Sequence, residues 1–212
     1  LNGGSPTSGG NLAGSAYFRN WLSHASPAHQ LTDSCGFDTR PIFISFVHHG
    51  GPLMTQRMNY NQQSPELFKK FLEFSMALKH SSIEESIHDL VNIRASQING
   101  CAFCVDMHVK EATIHGERPL RLHHIAIWRE SPLFSARERA ALTWTEILTR
   151  LPAEGVPNDV YERVRAQLSE KELTDLTLMV MAINGWNRAS IGFQTAPGSY
   201  DKAFGLEKSG LS

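Results

Sequence analysis

No uncharged apolar run in this chain is long enough to cross a bilayer, and no lysine- or arginine-rich run stands out in a sequence whose formal net charge is −1. A spanning helix is therefore not expected, and neither is electrostatic binding to nucleic acid or to an anionic lipid surface. Cysteine is scarce as well. Three in 212 residues are too few for the disulfide framework of a small secreted domain, and they fit a reducing cytoplasm. What is present is ordinary for a globular protein: 41% hydrophobic residues and enough length for one domain with a substantial core.

Charge is sparse in the first 53 residues, where Arg19, Asp33, Asp38 and Arg40 are the only charged side chains among abundant Gly, Ser and Pro. No helical period is sustained there, and the basic start and apolar core of a signal peptide are absent. Pro41–Val47 reads as a strand, but nothing downstream would pair with it. Composition becomes normal at Met54. The expectation is that residues 1–53 are a leader or extension outside the fold and that residues 54–212 form the functional domain.

Beyond this point the chain reads as helix after helix. Ser64-Pro65 is a start signal, with Ser as N-cap and Pro in the first position, followed by an apolar surface from Leu67 to Leu78. A second helix is expected from about Ile83 to Ser96, with Ile87, Leu90, Val91 and Ile98 at helical spacing. Further helices are expected over Leu120–Trp128, from the capping-box pattern Ser135-Ala136-Arg137-Glu138 through Leu148, over Asn158–Leu168, and from Ser169 to about Phe193. No alternating strand pattern interrupts them, so the predicted fold class is all-α. The tail after Ala196 reads as loose or as packing on a partner subunit.

The most informative stretch is Asn99-Gly100-Cys101-Ala102-Phe103-Cys104-Val105-Asp106-Met107-His108. On a helix Cys104 lies one turn beyond Cys101, and His108 one turn beyond Cys104, so two thiols and an imidazole share a side. Asn99-Gly100 is a turn signal that places the helix start at about Cys101, where free N–H groups and the macrodipole favour a thiolate. Thiolate is the form that attacks peroxides and disulfides. Two other readings stay open. Cys-x-x-Cys is also half of a zinc site, but a closed site needs two more ligands and Cys35 is the only other cysteine, so His115, His123 and His124 would have to complete a mixed site. Alternatively the two cysteines are small buried hydrophobes. Attachment of c-type haem is excluded because Val105, not histidine, follows the second cysteine.

The run from Asp89 through His108 resembles the alkylhydroperoxidase D and carboxymuconolactone decarboxylase family, in its cysteine-bearing, peroxidase-related branch. The resemblance extends over roughly Pro65 to Phe193, supported by Trp128-Arg129-Glu130-Ser131, Glu138–Leu142 and Ile183–Arg188. It implies an all-helical bundle that assembles as a homo-oligomer. It also implies roles: Cys104 as the peroxidatic thiol, Cys101 as the resolving thiol and His108 as a proton relay. The family's relay glutamate, twelve residues before the first cysteine, falls on Asp89, one methylene shorter. Phe103 stands where the peroxidase carries a further histidine. Glu85 and His88 are nearby alternatives to Asp89, Trp186 to Arg188 are candidate pocket residues, and Arg188 is a candidate partner for Glu138.

The function expected on this basis is reduction of organic hydroperoxides through a Cys101/Cys104 dithiol–disulfide cycle, with no cofactor or metal. An external dithiol, such as a lipoyl-bearing protein, would restore the thiols. A disulfide oxidoreductase or redox sensor on the same fold is the nearest alternative, and a non-catalytic oligomeric binding protein is the alternative of a different class.

Overall fold

A computed structural model describes residues 55–211, so the expected leader and the strand at Pro41–Val47 lie outside the described residues. These residues are helical throughout, with no strand among them: α1 (Tyr60–Gln63), α2 (Pro65–Leu78), α3 (Glu85–Asn99), α4 (Ala102–Ile114), α5 (Pro119–His124), α6 (Ala136–Thr149), α7 (Asn158–Arg165), α8 (Glu170–Phe193) and α9 (Asp201–Phe204). A 3-10 turn, Ile125–Ile127, continues α5, and another, Leu206–Ser209, follows α9. None of these helices is long and apolar enough to cross a membrane.

The start signals act as written in two cases. Ser135 Oγ accepts from the Glu138 N–H at 3.2 Å while the Glu138 carboxylate accepts from the Ser135 N–H at 2.7 Å. Ser169 and Glu172 repeat this box at the head of α8. Ser64 occupies its cap position without a side-chain hydrogen bond, leaving the fixed φ of Pro65 to open α2.

Helix α3 is the spine, packing against α4, α6 and α8. One side sends Ile87 and Val91 into a core with Ala141 and Trp144 of α6 and Leu176 and Val180 of α8. The other sends Leu90 and Ile93 into a second core with Ala112, Ile125, Trp128 and Leu142. Each such buried aliphatic side chain contributes roughly 1.5–3 kcal/mol. Where α2 crosses α8, Gly185 lets the Phe71 ring approach so closely that a Cβ there would lie 2.7 Å from it.

The tail departs from one of the two expectations for it, that it is loose. It is neither loose nor free of its own chain, because α9 and the turn after it fold back with Leu206 buried, and the turn packs on α4.

Candidate active site

The site is built on the junction between α3 and α4. Gly100, at φ 70°, closes α3 in the left-handed region, where a glycine pays no Cβ penalty. Its N–H donates to the Gln97 carbonyl and that of Cys101 to the Ser96 carbonyl. The turn is tied to α8 as well: the Asn99 amide donates to Asn184 Oδ1 at 3.0 Å and Asn187 Oδ1 at 2.8 Å, and Asn187 in turn donates to Ser96 Oγ. Cys101 then serves as N-cap of α4, its Sγ accepting from the Cys104 N–H at 3.3 Å.

Cys101 and Cys104 are joined as a disulfide, with Cα atoms 5.3 Å apart. Both are buried, yet only Cys104 faces a cavity of about 280 Å³, enclosed by α2, α3, α4, α8 and the C-terminal tail. His108 lines the same cavity one turn further along α4. Its Nδ1 lies 2.7 Å from Glu111 Oε2, and Lys79 stands 3.7 Å from the other oxygen of that carboxylate. Burial alone would raise the Glu111 pKa, but the hydrogen bond and charge of His108, helped by Lys79, hold it at about 2. Glu111 is therefore an anion clamped on the imidazole.

Asp89 is placed differently from its expected relay position. Its Oδ2 pairs with His115 Nδ1 at 2.7 Å and not with His108. The reason is depth. Asp89 precedes the junction by about 16 Å of helix, whereas His108 follows it by only about 10 Å; with α4 folded back on α3, the short aspartate comes level with the far end of α4. Burial raises its pKa to about 6 despite the contact with His115.

His88, one residue earlier, does reach the cavity. Burial, and then the charge of His108, lower its pKa to about 4, so it is a neutral imidazole at neutral pH. Among the candidate pocket residues, Trp186 is part of the wall, donating to Ser75 Oγ at 2.8 Å. Asn187 belongs to the buried amide network, and Arg188 donates to Asn184 within its own helix. The expected Arg188–Glu138 pair does not form, because Arg121 takes Glu138. Glu111 was legible in principle, standing at i+3 from His108. Tyr200 and Phe204, which also line the cavity, carried no local signal.

Residues 65–146 match the model of the carboxymuconolactone decarboxylase family. The uncharacterized protein YdfG of Bacillus subtilis (strain 168) is 41% identical over 138 residues, which is 65% of this chain and 94% of YdfG. A crystal structure of a protein of unknown function from Agrobacterium tumefaciens, suggested by its name to be the antioxidant defence protein AhpD, superimposes with a TM-score of 0.65 at 40% identity, over 68% of this chain and 98% of that one. The AhpD core of an uncharacterized peroxidase-related protein from Ralstonia eutropha JMP134 shares the fold at 18% identity, with a TM-score of 0.59 over 66% of this chain and 75% of that one.

Proposed function

The chain belongs to the carboxymuconolactone decarboxylase family, and on that premise we propose that it is a thiol-dependent hydroperoxide reductase of the AhpD type. The observation that carries this reading is the Cys101–Cys104 disulfide at the head of α4, with Cys104 alone opening on an apolar cavity beside a carboxylate-held histidine.

In the reduced protein His108 takes the proton of the Cys104 thiol, and the helix N-terminus stabilises the resulting thiolate. The thiolate attacks the distal oxygen of ROOH, the O–O bond breaks, and Cys104 becomes a sulfenic acid while the departing alkoxide takes the proton back from His108 as ROH. The Cys101 thiol then attacks the sulfenic sulfur, forming the disulfide and releasing water. An external dithiol reduces this bond by exchange and leaves as its own disulfide, so one ROOH and one dithiol yield ROH, water and a disulfide. In this scheme Glu111, not Asp89, orients His108 and stabilises it when protonated. The cycle balances on thiols alone.

The test is titration of the reduced protein with cumene hydroperoxide, counting free thiols and locating the product by mass spectrometry. One equivalent of peroxide is expected to give the Cys101–Cys104 disulfide, and Cys101→Ser to stop at a sulfenic acid on Cys104. Thiols that persist in peroxide yet exchange readily with lipoamide would point to a disulfide oxidoreductase; thiols inert to both would sink the redox reading.

A further inference from the structure

The outer wall of the cavity comes from the end of the chain. Tyr200 and Phe204 both line it, with Tyr200 edge-on to Phe103 at 5.6 Å and Phe204 tilted against Tyr200 at 5.9 Å. Phe103 and Cys104 both line the cavity, so this aromatic file runs along its wall from the disulfide turn. Its last member, Phe204, is 51% exposed, which places it at the mouth.

What holds the wall in place is a buried ion cluster. Lys110 of α4 is only 5% exposed, and its Nζ lies 2.9 Å from Asp106 Oδ2 and 2.6 Å from Asp201 Oδ2. Asp106 Oδ2 also accepts from the Gly198 N–H at 2.9 Å. Two residues of α4 thus grip both ends of the turn that presents Tyr200, and Asn61 donates to the Tyr200 hydroxyl from the opposite side at 3.4 Å. A buried lysine held between two carboxylates costs desolvation that hydrophobic packing would avoid, and it fixes one geometry in return.

We propose that residues 196–211 are the specificity element of the site: strapped to α4 by Lys110, they set Tyr200 and Phe204 across the mouth, admitting compact apolar hydroperoxides to Cys104 and turning away long-chain lipid hydroperoxides. The size limit follows from the cavity, whose roughly 280 Å³ sits at the small end of ligand sites. The substrate class rests on the hydroperoxide reading above. The role of the tail as a gate does not.

The experiment separates the two. In full-length protein carrying Cys35→Ser and Cys101→Ser, Cys104 is the one thiol left, and a serine hydroxyl can still cap α4. Rates of Cys104 alkylation are measured with iodoacetamide and with pyrene maleimide, in this background and with Phe204→Ala or Asp201→Asn added. The ratio of bulky to small reagent is expected to rise about tenfold, the scale on which steric pocket changes discriminate. With native cysteines, the same variants should raise kcat/KM for linoleic acid hydroperoxide relative to cumene hydroperoxide. Phe204 is half exposed, so its truncation tests the gate even if Asp201→Asn fails to fold. An alkylation ratio unchanged in Phe204→Ala overturns the proposal whatever the peroxide kinetics. A shifted ratio in a protein that consumes no peroxide keeps the gate and sinks the hydroperoxide reading.

Discussion

Three titratable side chains of α3 and α4, Glu111, Asp89 and His88, have strongly displaced pKa values. Glu111, held at about pKa 2, keeps a negative charge beside His108 across the working pH range. Replacing it with Gln preserves shape but removes the charge, so Glu111→Gln is expected to lower kcat/KM for cumene hydroperoxide by about tenfold or more, within the span of acid–base effects. Asp89→Asn should change it by less than about twofold, because Asp89 faces His115; stopped-flow kinetics on both variants would decide which carboxylate serves the relay. Asp89 and His88 also make an opposed pair in their effect on stability. Asp89 has a folded pKa raised to about 6, so the stability it contributes is complete below its unfolded pKa and is lost as pH rises through 6. His88 has one lowered to about 4, so its contribution is complete above its unfolded pKa and is lost as pH falls through 4. Over about pH 4 to 6 these two slopes oppose each other, each on the order of 2–3 kcal/mol. Relative to the parent, urea midpoints should therefore climb more steeply with pH in Asp89→Asn and less steeply in His88→Gln; parallel profiles in all three would refute the assignment.

Among the elements, the α3–α4 junction is the most exacting. Gly100 must sit at φ 70° for α3 to end and Cys101 to cap α4. No neighbouring atom crowds a Cβ there, so the cost of Gly100→Ala is conformational, about 1–2 kcal/mol for a left-handed alanine. A matching drop in unfolding free energy by urea titration is expected. A neutral result would mean that the junction can relax without its left-handed residue. Short-range rules placed this junction, as they placed the boxes at Ser135 and Ser169, because each depends on groups within five residues of one another. The same rules did not find what anchors the tail within its own chain. Its anchoring pair, Lys110 and Asp201, is separated by 91 residues, and Pro, Gly and Ser after Ala196 carry no trace of that contact.

For the molecule as a whole, the shared spine matters most. Since α3 feeds two adjoining faces into two cores, the two are expected to open together. Leu176→Ala in the first core and Leu90→Ala in the second should each cost about 2–5 kcal/mol and should move one cooperative transition. Far-UV circular dichroism and tryptophan fluorescence are the probes, since Trp144 sits in one core and Trp128 in the other. Non-coincident curves for either variant would show that the two cores unfold separately.

Local chemistry in the chain was sufficient to establish the all-helical class, most helix starts and the stop at Gly100. All of these are set by periodicity and by hydrogen bonds between near neighbours. Which carboxylate serves His108, which cysteine faces the cavity and what closes its mouth depended on how far α4 folds back along α3 and where the tail returns. Those distances arise from packing between segments far apart in the chain, and no short-range pattern encodes them.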